Sequence, residues 1–173
     1  GAANLITGGL GGLGLRAAVA LAAQGASHVV LASRSGRVAR GGQGLEAQLQ
    51  SLRSHCVVEV YACDVGRQDE STALLSHSQA SAPRSLRVIH TAGVLQDGLT
   101  RKMTYGQLAA VFGPKAQGAA ILHYTTRNLD CSAFITFSSI ASAYGNVGQA
   151  NYGAANSYLD VLVTLRRAGG LRG

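Results

Sequence analysis

Between residues 8 and 14 this chain places five glycines, in the run Thr7-Gly8-Gly9-Leu10-Gly11-Gly12-Leu13-Gly14. An apolar segment, Leu5-Ile6-Thr7, precedes the run, and Leu13 to Ala23 follows it with an apolar stripe (Leu13, Ala17, Leu21) at helical spacing. Gly25 stands where a helix commonly ends. Few folds need so much backbone freedom between a strand and a helix. The spacing reads as GxGxxG through Gly9, Gly11 and Gly14, or as TGxxxGxG through Gly8, Gly12 and Gly14. The physics is the same either way: glycines allow a tight turn and close backbone approach, while the helix start offers free N–H groups and partial positive charge to a phosphate. A merely flexible turn is the competing reading, and the strand–turn–helix context weighs against it.

The rest of the chain alternates in the same sense. Strands are expected at Val29-Val30-Leu31-Ala32, Val57 to Ala62, Leu86 to His90 and Ala133 to Phe137. Helices are expected at Leu45 to Leu52, Glu70 to His77, Thr104 to Arg127 and Ala150 to Arg167, with Gly113-Pro114 breaking the third of these. The loops at Ser35–Gly44 and Ser78–Ser85 are too short to be domain linkers. Such alternation predicts a single α/β domain over residues 1–173, a doubly wound parallel sheet of Rossmann type. Five strands look like an incomplete count, so the domain is expected to be truncated at its C-terminus.

Composition excludes several alternatives. Hydrophobic residues make up 47% and charged residues 13%, which does not suit a disordered chain. No apolar run approaches the roughly 20 residues that span a bilayer, and the N-terminus lacks the basic start of a secretory signal. No membrane association is expected. The net charge of +7 raises the possibility of nucleic acid, but Arg16, Arg34, Arg37, Arg40, Arg53, Arg67, Arg84 and Arg87 are scattered, and no aromatic strand or zinc-finger spacing accompanies them. Cys56, Cys63 and Cys131 have no CxxC spacing and read as reduced thiols, consistent with the cytoplasm. His28, His55, His77, His90 and His123 show no metal spacing and read as structural or solvated, as do Tyr144 and Tyr158. No metal site is expected.

Two regions carry the chemistry. The second strand ends at Ser33-Arg34-Ser35, where an acid would bind a ribose 2′-hydroxyl; arginine instead suits a 2′-phosphate, which favours NADPH over NADH. At the carboxyl end of the fifth strand lie Ser138-Ser139, and Tyr152 and Asn156 share a face at the start of the last helix.

Here the sequence resembles the short-chain dehydrogenase/reductase superfamily, and within it the ketoreductase domains of modular polyketide synthases and animal-type fatty acid synthases. The matching stretches are the glycine run, Ser33-Arg34-Ser35-Gly36, Ala62-Cys63-Asp64-Val65, Val88-Ile89-His90-Thr91-Ala92-Gly93-Val94, Pro114-Lys115-Ala116-Gln117-Gly118, Phe137-Ser138-Ser139, and Gly148 through Asn156. Ordinary short-chain reductases carry Tyr-x-x-x-Lys. This chain has Asn156 in place of that lysine and supplies Lys115 upstream, the exchange typical of the ketoreductases.

The resemblance implies reduction of a β-ketoacyl thioester, carried on acyl carrier protein, to the β-hydroxyacyl thioester, within a synthase whose other domains are neighbours. Tyr152 would protonate the developing alkoxide, Lys115 would favour the phenolate and hold the nicotinamide ribose, Ser139 would donate to the carbonyl oxygen, and Asn156 would position the tyrosine side or an ordered water chain. Thr7 through Gly14 would cradle the pyrophosphate, Asp64 and Val65 would meet the adenine, and Thr91, Ala92 and Gly93 the ribose. A non-catalytic bracing or cofactor-binding module of the same fold is the alternative. Leu95-Gln96-Asp97 keeps part of a Leu-Asp-Asp motif tied to one hydroxyl configuration, and Tyr144 stands where the other type has tryptophan, so the first type is weakly favoured. In the family, a strand with an apolar-Asn-Trp-Gly segment, a lid helix and another strand follow the catalytic helix. The chain stops at Gly173 before them, so weak NADPH binding and low turnover are expected of it alone.

Overall fold

The computed structural model describes residues 2–39, 41, 43–81 and 85–173; Arg40, Arg84 and parts of the two loops named above lie outside them. Five strands, β1 (Ala3–Thr7), β2 (His28–Ser33), β3 (Val57–Ala62), β4 (Leu86–His90) and β5 (Cys131–Thr136), form one all-parallel sheet in the order β3-β2-β1-β4-β5. Helices α1 (Gly12–Ala23), α2 (Leu45–Arg53) and α3 (Gln68–Ser81) alternate with the first four strands. The order reverses between β1 and β4, the switch point at which open α/β sheets bind ligands.

The period of two along each strand divides the core. Leu5, Val30 and Val88 face one side, with Leu74 and Leu75 of α3, Leu122 and Phe134. Ile6, Val29, Leu31 and Ile89 face the other, with Leu15 and Ala18 of α1 and Leu45 and Leu52 of α2. Both faces of β1, β2 and β4 are therefore covered, which explains the continuous apolar run Val29-Val30-Leu31-Ala32 of β2 and the adjacent apolar pairs Leu5-Ile6 of β1 and Val88-Ile89 of β4.

Two sequence expectations change. The buried face of α1 is Gly14, Leu15 and Ala18, whereas Leu13 is 58% exposed. The glycine turn rotates the helix so that Leu13 points to the ligand edge instead of the sheet. Nor does Gly113-Pro114 break the long helix. α4 (Tyr105–Phe112) runs through a π-helical turn (Gly113–Gln117) directly into α5 (Gly118–Thr126). Proline has no N–H and its ring crowds the carbonyl four residues back; widening the turn, with the Gly118 N–H reaching the Gly113 carbonyl, accommodates both. A short helix α6 (Ala141–Tyr144), not anticipated, precedes α7 (Ala150–Ala168).

α7 lays Leu159 and Leu162 on Ala119 of α5. Its Arg166, 1% exposed, stacks 4.0 Å from the Phe134 ring centroid. None of the helices among the described residues is long and apolar enough to cross a membrane.

Candidate active site

The cleft over the carboxyl ends of β1, β2 and β4 has a volume of about 720 Å³. Of the expected cradle, Thr7, Gly8, Gly11, Gly12, Leu13 and Gly14 line it. Gly8 turns the chain out of β1 at φ +71°, and a Cβ there would lie 2.7 Å from the Ala92 nitrogen. Gly14 lets α1 start against that turn: a Cβ would come within 2.5 Å of the Gly8 carbonyl oxygen. Gly9 and Leu10 sit behind the cleft, Gly9 against Leu31 and Leu10 almost fully buried. Neither lines the cleft, and their packing braces the turn.

Ser33, Arg34 and Ser35 line the outer end of the cleft, beyond β2, and Asp64, Val65, Thr91, Ala92 and Gly93 also line the cleft. Sequence reading missed Arg37 as a site residue. Gly36, at φ +62°, folds the chain back after β2 and the Ser35 hydroxyl accepts from the Arg37 N–H at 3.3 Å, so a second guanidinium borders the cleft. The turn-forming glycine two residues after Arg34 was the available signal. Asp64 uses one carboxylate oxygen on the Gly66 N–H at 3.0 Å. Cys63 borders the cleft but is buried, and burial pushes its thiol up to about 11, which keeps it protonated at neutral pH.

At the inner end Lys115 is only 4% exposed, in the π turn. Its Nζ donates to the Phe137 carbonyl at 2.9 Å and lies 5.5 Å from the centroid of the Tyr152 ring. It passes beneath the cleft floor, where a Cβ on Gly93 would be 3.5 Å away. Burial pulls the amine down from 10.5 to about 8, so it is mainly protonated at neutral pH. Tyr152 packs with Val94, Phe112, Ala116 and Ala155, and Val94 itself lines the cleft. The lysine and tyrosine thus meet from separate elements.

Ser139 lies two residues beyond the Lys115 anchor. Its hydroxyl oxygen accepts from the Ala141 N–H at 3.2 Å, which leaves the hydroxyl proton available to a ligand. Asn156 is fully buried; its Nδ2 donates to the Tyr152 carbonyl at 2.8 Å, and its Oδ1 has no hydrogen-bond partner. A second asparagine, overlooked in the sequence, holds the head of α7. Asn151, 2% exposed, donates to the Gln96 carbonyl at 2.9 Å and the Gln107 carbonyl at 3.3 Å while its Oδ1 accepts from the Tyr152 N–H at 2.8 Å. Asp97 adds two acceptor oxygens to Gln149 Nε2, at 3.1 and 3.3 Å.

The remaining expected bystanders behave variously. Tyr144 is 84% exposed, and His28 and His77 share the carboxylate of Glu59 on β3. The described residues contain no cluster of His, Cys, Asp and Glu able to hold a metal ion.

Do these residues fit a dinucleotide? The cradle glycines leave no space for side chains behind the turn, yet a Cβ at Gly12 would meet nothing within 4 Å. Ser33 Oγ is buried without a partner at the outer end. The cleft therefore has room and a free polar group where a nicotinamide dinucleotide would lie.

Sheet order, cradle and the meeting of Lys115 with Tyr152 place the chain among the short-chain dehydrogenases/reductases. More narrowly, the family model "KR domain" matches residues 2–173, and the chain belongs to that family of ketoreductase domains. It is 45% identical over 168 residues to the spectinabilin polyketide synthase system protein NorB of Streptomyces orinoci, covering 96% of this chain and 8% of that protein. Against polyketide synthase GfsA of Streptomyces halstedii the identity is 44%, with 96% of this chain and 2% of the relative covered. Among solved structures it resembles an A-type ketoreductase of a modular polyketide synthase (TM-score 0.85, 44% identity, 97% of this chain and 35% of that one). The first ketoreductase of the tylosin synthase is also similar (TM-score 0.84, 40% identity, 98% and 36%). The chain thus spans about a third of the ketoreductases it superposes on and a small fraction of the synthases.

Proposed function

We propose that this chain carries the catalytic centre of an NADPH-dependent β-ketoacyl reductase that acts on a thioester delivered by acyl carrier protein, inside a synthase of several domains. The observation that carries the reading is the buried Lys115 amine beside Tyr152. A buried ammonium is costly, and this one, bonded to the Phe137 carbonyl and 5.5 Å from the Tyr152 ring centroid, puts a cation beside that phenol in support of the reading. The bound nicotinamide would supply the hydride. The chain's own residues then do the rest: Ser139 donates to the substrate oxygen as charge builds there, and Tyr152 gives that oxygen its proton. Asn156 holds the Tyr152 backbone by one bond, which supports a role in positioning the tyrosine, and its buried Oδ1 has no protein partner.

The preference for NADPH rests on Arg34, with Arg37 beside it, and on the lack of an acid at the end of β2. Both guanidiniums border the cleft where a 2′-phosphate would reach. Delivery by a carrier protein rests on the kinship with polyketide synthases.

Tyr152→Phe tests the assignment. It should abolish reduction of a β-ketoacyl thioester and leave NADPH binding, followed by nicotinamide fluorescence, within a few-fold of the parent chain. A variant that still reduces the thioester would overturn the role of Tyr152. A chain that binds neither NADPH nor NADH would overturn the cofactor reading, and a full-length ketoreductase carrying this segment that binds without turnover would favour the bracing module.

A further inference from the structure

His90 ends β4 and is completely buried, and the catalytic reading gives it nothing to do. Both ring nitrogens are nevertheless bonded. Nε2 lies 2.9 Å from the Lys115 carbonyl, and Nδ1 lies 2.7 Å from the Thr7 hydroxyl. A carbonyl can only accept, so Nε2 carries the proton; a neutral ring then accepts from Thr7 at Nδ1. Burial holds the imidazole down at about 4, which keeps this tautomer across the neutral range.

The three residues come from three elements. Thr7 is the last residue of β1, immediately before Gly8 of the cradle, and its backbone carbonyl also accepts from the Thr91 N–H and hydroxyl at 2.9 and 2.8 Å. His90 is followed by Thr91, and its own carbonyl accepts from the Phe137 N–H at 3.0 Å. The same Phe137 offers its carbonyl to Lys115 Nζ. Lys115 is therefore held twice, by its backbone through the His90 ring and by its side chain through Phe137, and both anchors converge on His90.

We infer that His90 is a positioning residue: a neutral imidazole strut that transmits the placement of the Thr7–Gly8 turn to the backbone of Lys115 and so fixes the amine against Tyr152. Its necessity lies in the π turn. A widened turn containing proline has weaker internal restraint than an α-helix, and a lysine carried there needs an external hold. A misplacement of about 1 Å at a reacting group can cost about 100-fold in rate. The role of Lys115 rests on the reductase reading above, whereas the strut itself can be read without turnover.

The test therefore has two parts. In the first, nitrogen-15 NMR of the wild-type chain follows the His90 ring and the Lys115 amine. The expected result is an Nε2–H tautomer that does not titrate between pH 5 and 9, with a Nδ1 resonance that shifts in Thr7→Val. A Nδ1–H tautomer, or a ring that titrates near neutrality, overturns the inference.

In the second, His90→Leu removes both bonds, while His90→Gln offers one amide donor and one acceptor across a similar span. His90→Leu should lower kcat by about 10- to 100-fold with little change in the KM for NADPH. It should also move the Lys115 titration by more than about half a unit as the amine shifts from its place beside Phe137 and Tyr152. His90→Gln should restore most of both. A folded His90→Leu that keeps the parent kcat and Lys115 titration overturns the proposal. Should it fail to fold, His90→Gln and the tautomer decide: a Gln variant without recovery of the Lys115 titration counts against the strut. A wild-type chain with no reductase activity would defeat the proposed function yet leave the NMR result standing on its own.

Discussion

Gly12 and Gly14 make opposite predictions about the same substitution. Alanine at Gly12 would place a Cβ in open space, at the first position of α1 and away from any positive φ. Reducing the freedom of the unfolded chain at such a site typically gains about 0.4–1 kcal/mol. For a chain of this size that is a rise of roughly 1–4 °C in Tm. The methyl would project into the cleft at the helix start, where a pyrophosphate needs the N–H groups. Losing one or two charge-assisted bonds costs about 2–4 kcal/mol, or roughly 30- to 1000-fold in Kd. Gly14→Ala instead drives a methyl to 2.5 Å from the Gly8 oxygen and 2.6 Å from the Gly9 Cα. Backbone cannot step aside cheaply, so about 1–3 kcal/mol or more is lost and Tm falls by several degrees. Thermal melts with and without NADPH, together with nicotinamide fluorescence titrations, read both quantities. If Gly12→Ala melts lower than the parent, or binds NADPH equally well, the reasoning about the cradle is wrong.

Arg34→Ala should weaken NADPH by about 10- to 100-fold and NADH hardly at all, with Arg37→Ala giving a smaller loss of the same selectivity, since bonds to charged groups contribute about 1.5–3 kcal/mol when well formed and less when exposed; equal effects on the two cofactors in isothermal titration would refute the 2′-phosphate reading. His90 should make the fold acid-sensitive: the unfolded imidazole takes its proton near 6.5 and the folded one near 4, so stability falls as pH drops through that window and levels below it, by at most about 3 kcal/mol. Urea unfolding of the parent and of His90→Gln at pH 4.5 and 7 should show that extra loss only in the parent. Arg166→Ala removes the stack on Phe134 and the donors to His123 Nδ1 and the Arg172 carbonyl, at 2.8 and 3.0 Å; a loss of about 2–4 kcal/mol is expected in the same unfolding assay, and a loss under about 1 kcal/mol would contradict its structural role.

The alternating strands and helices and the glycine turn were legible because each follows from a strong local signal: the apolar residues of β1, β2 and β4, and glycines at a strand–helix junction. The strand order has no local signal and comes from the structure. The failures have a common cause. The stripe Leu13, Ala17, Leu21 obeys helical spacing, but which face is buried depends on how the turn rotates α1, and that is set by Gly14 meeting Gly8. Gly113-Pro114 carries the residues of a break, but packing of α4 and α5 around it favours a widened turn. β5 begins at Cys131, two residues earlier than the apolar pattern suggests, since its pairing with Leu86 of β4 determines the start. Asn151 and His90 look ordinary in sequence; only the tertiary structure brings Asn151 to Gln96 and Gln107, and His90 to Thr7 and Lys115.

If Lys115 serves the proposed reaction, the charge beside Tyr152 is carried by a different element from the tyrosine's own helix. A lysine at residue 156 would share the helix of Tyr152, so helical spacing alone would bring the two together. With asparagine there, fully buried and bonded to the Tyr152 carbonyl, α7 keeps a small neutral side chain at that level. The cation here arrives from the side, in the π turn between α4 and α5, where Lys115 emerges between Gly93 and Phe137. That arrangement needs a restraint between elements that the single-helix version does not: the Phe137 carbonyl for the amine and the His90 ring for the backbone. A cation on α7 would depend on α7 alone, whereas the cation seen here depends on β1, β4 and β5 being in register. Substitutions that loosen those strands should therefore reach the chemistry through Lys115 before they unfold the chain.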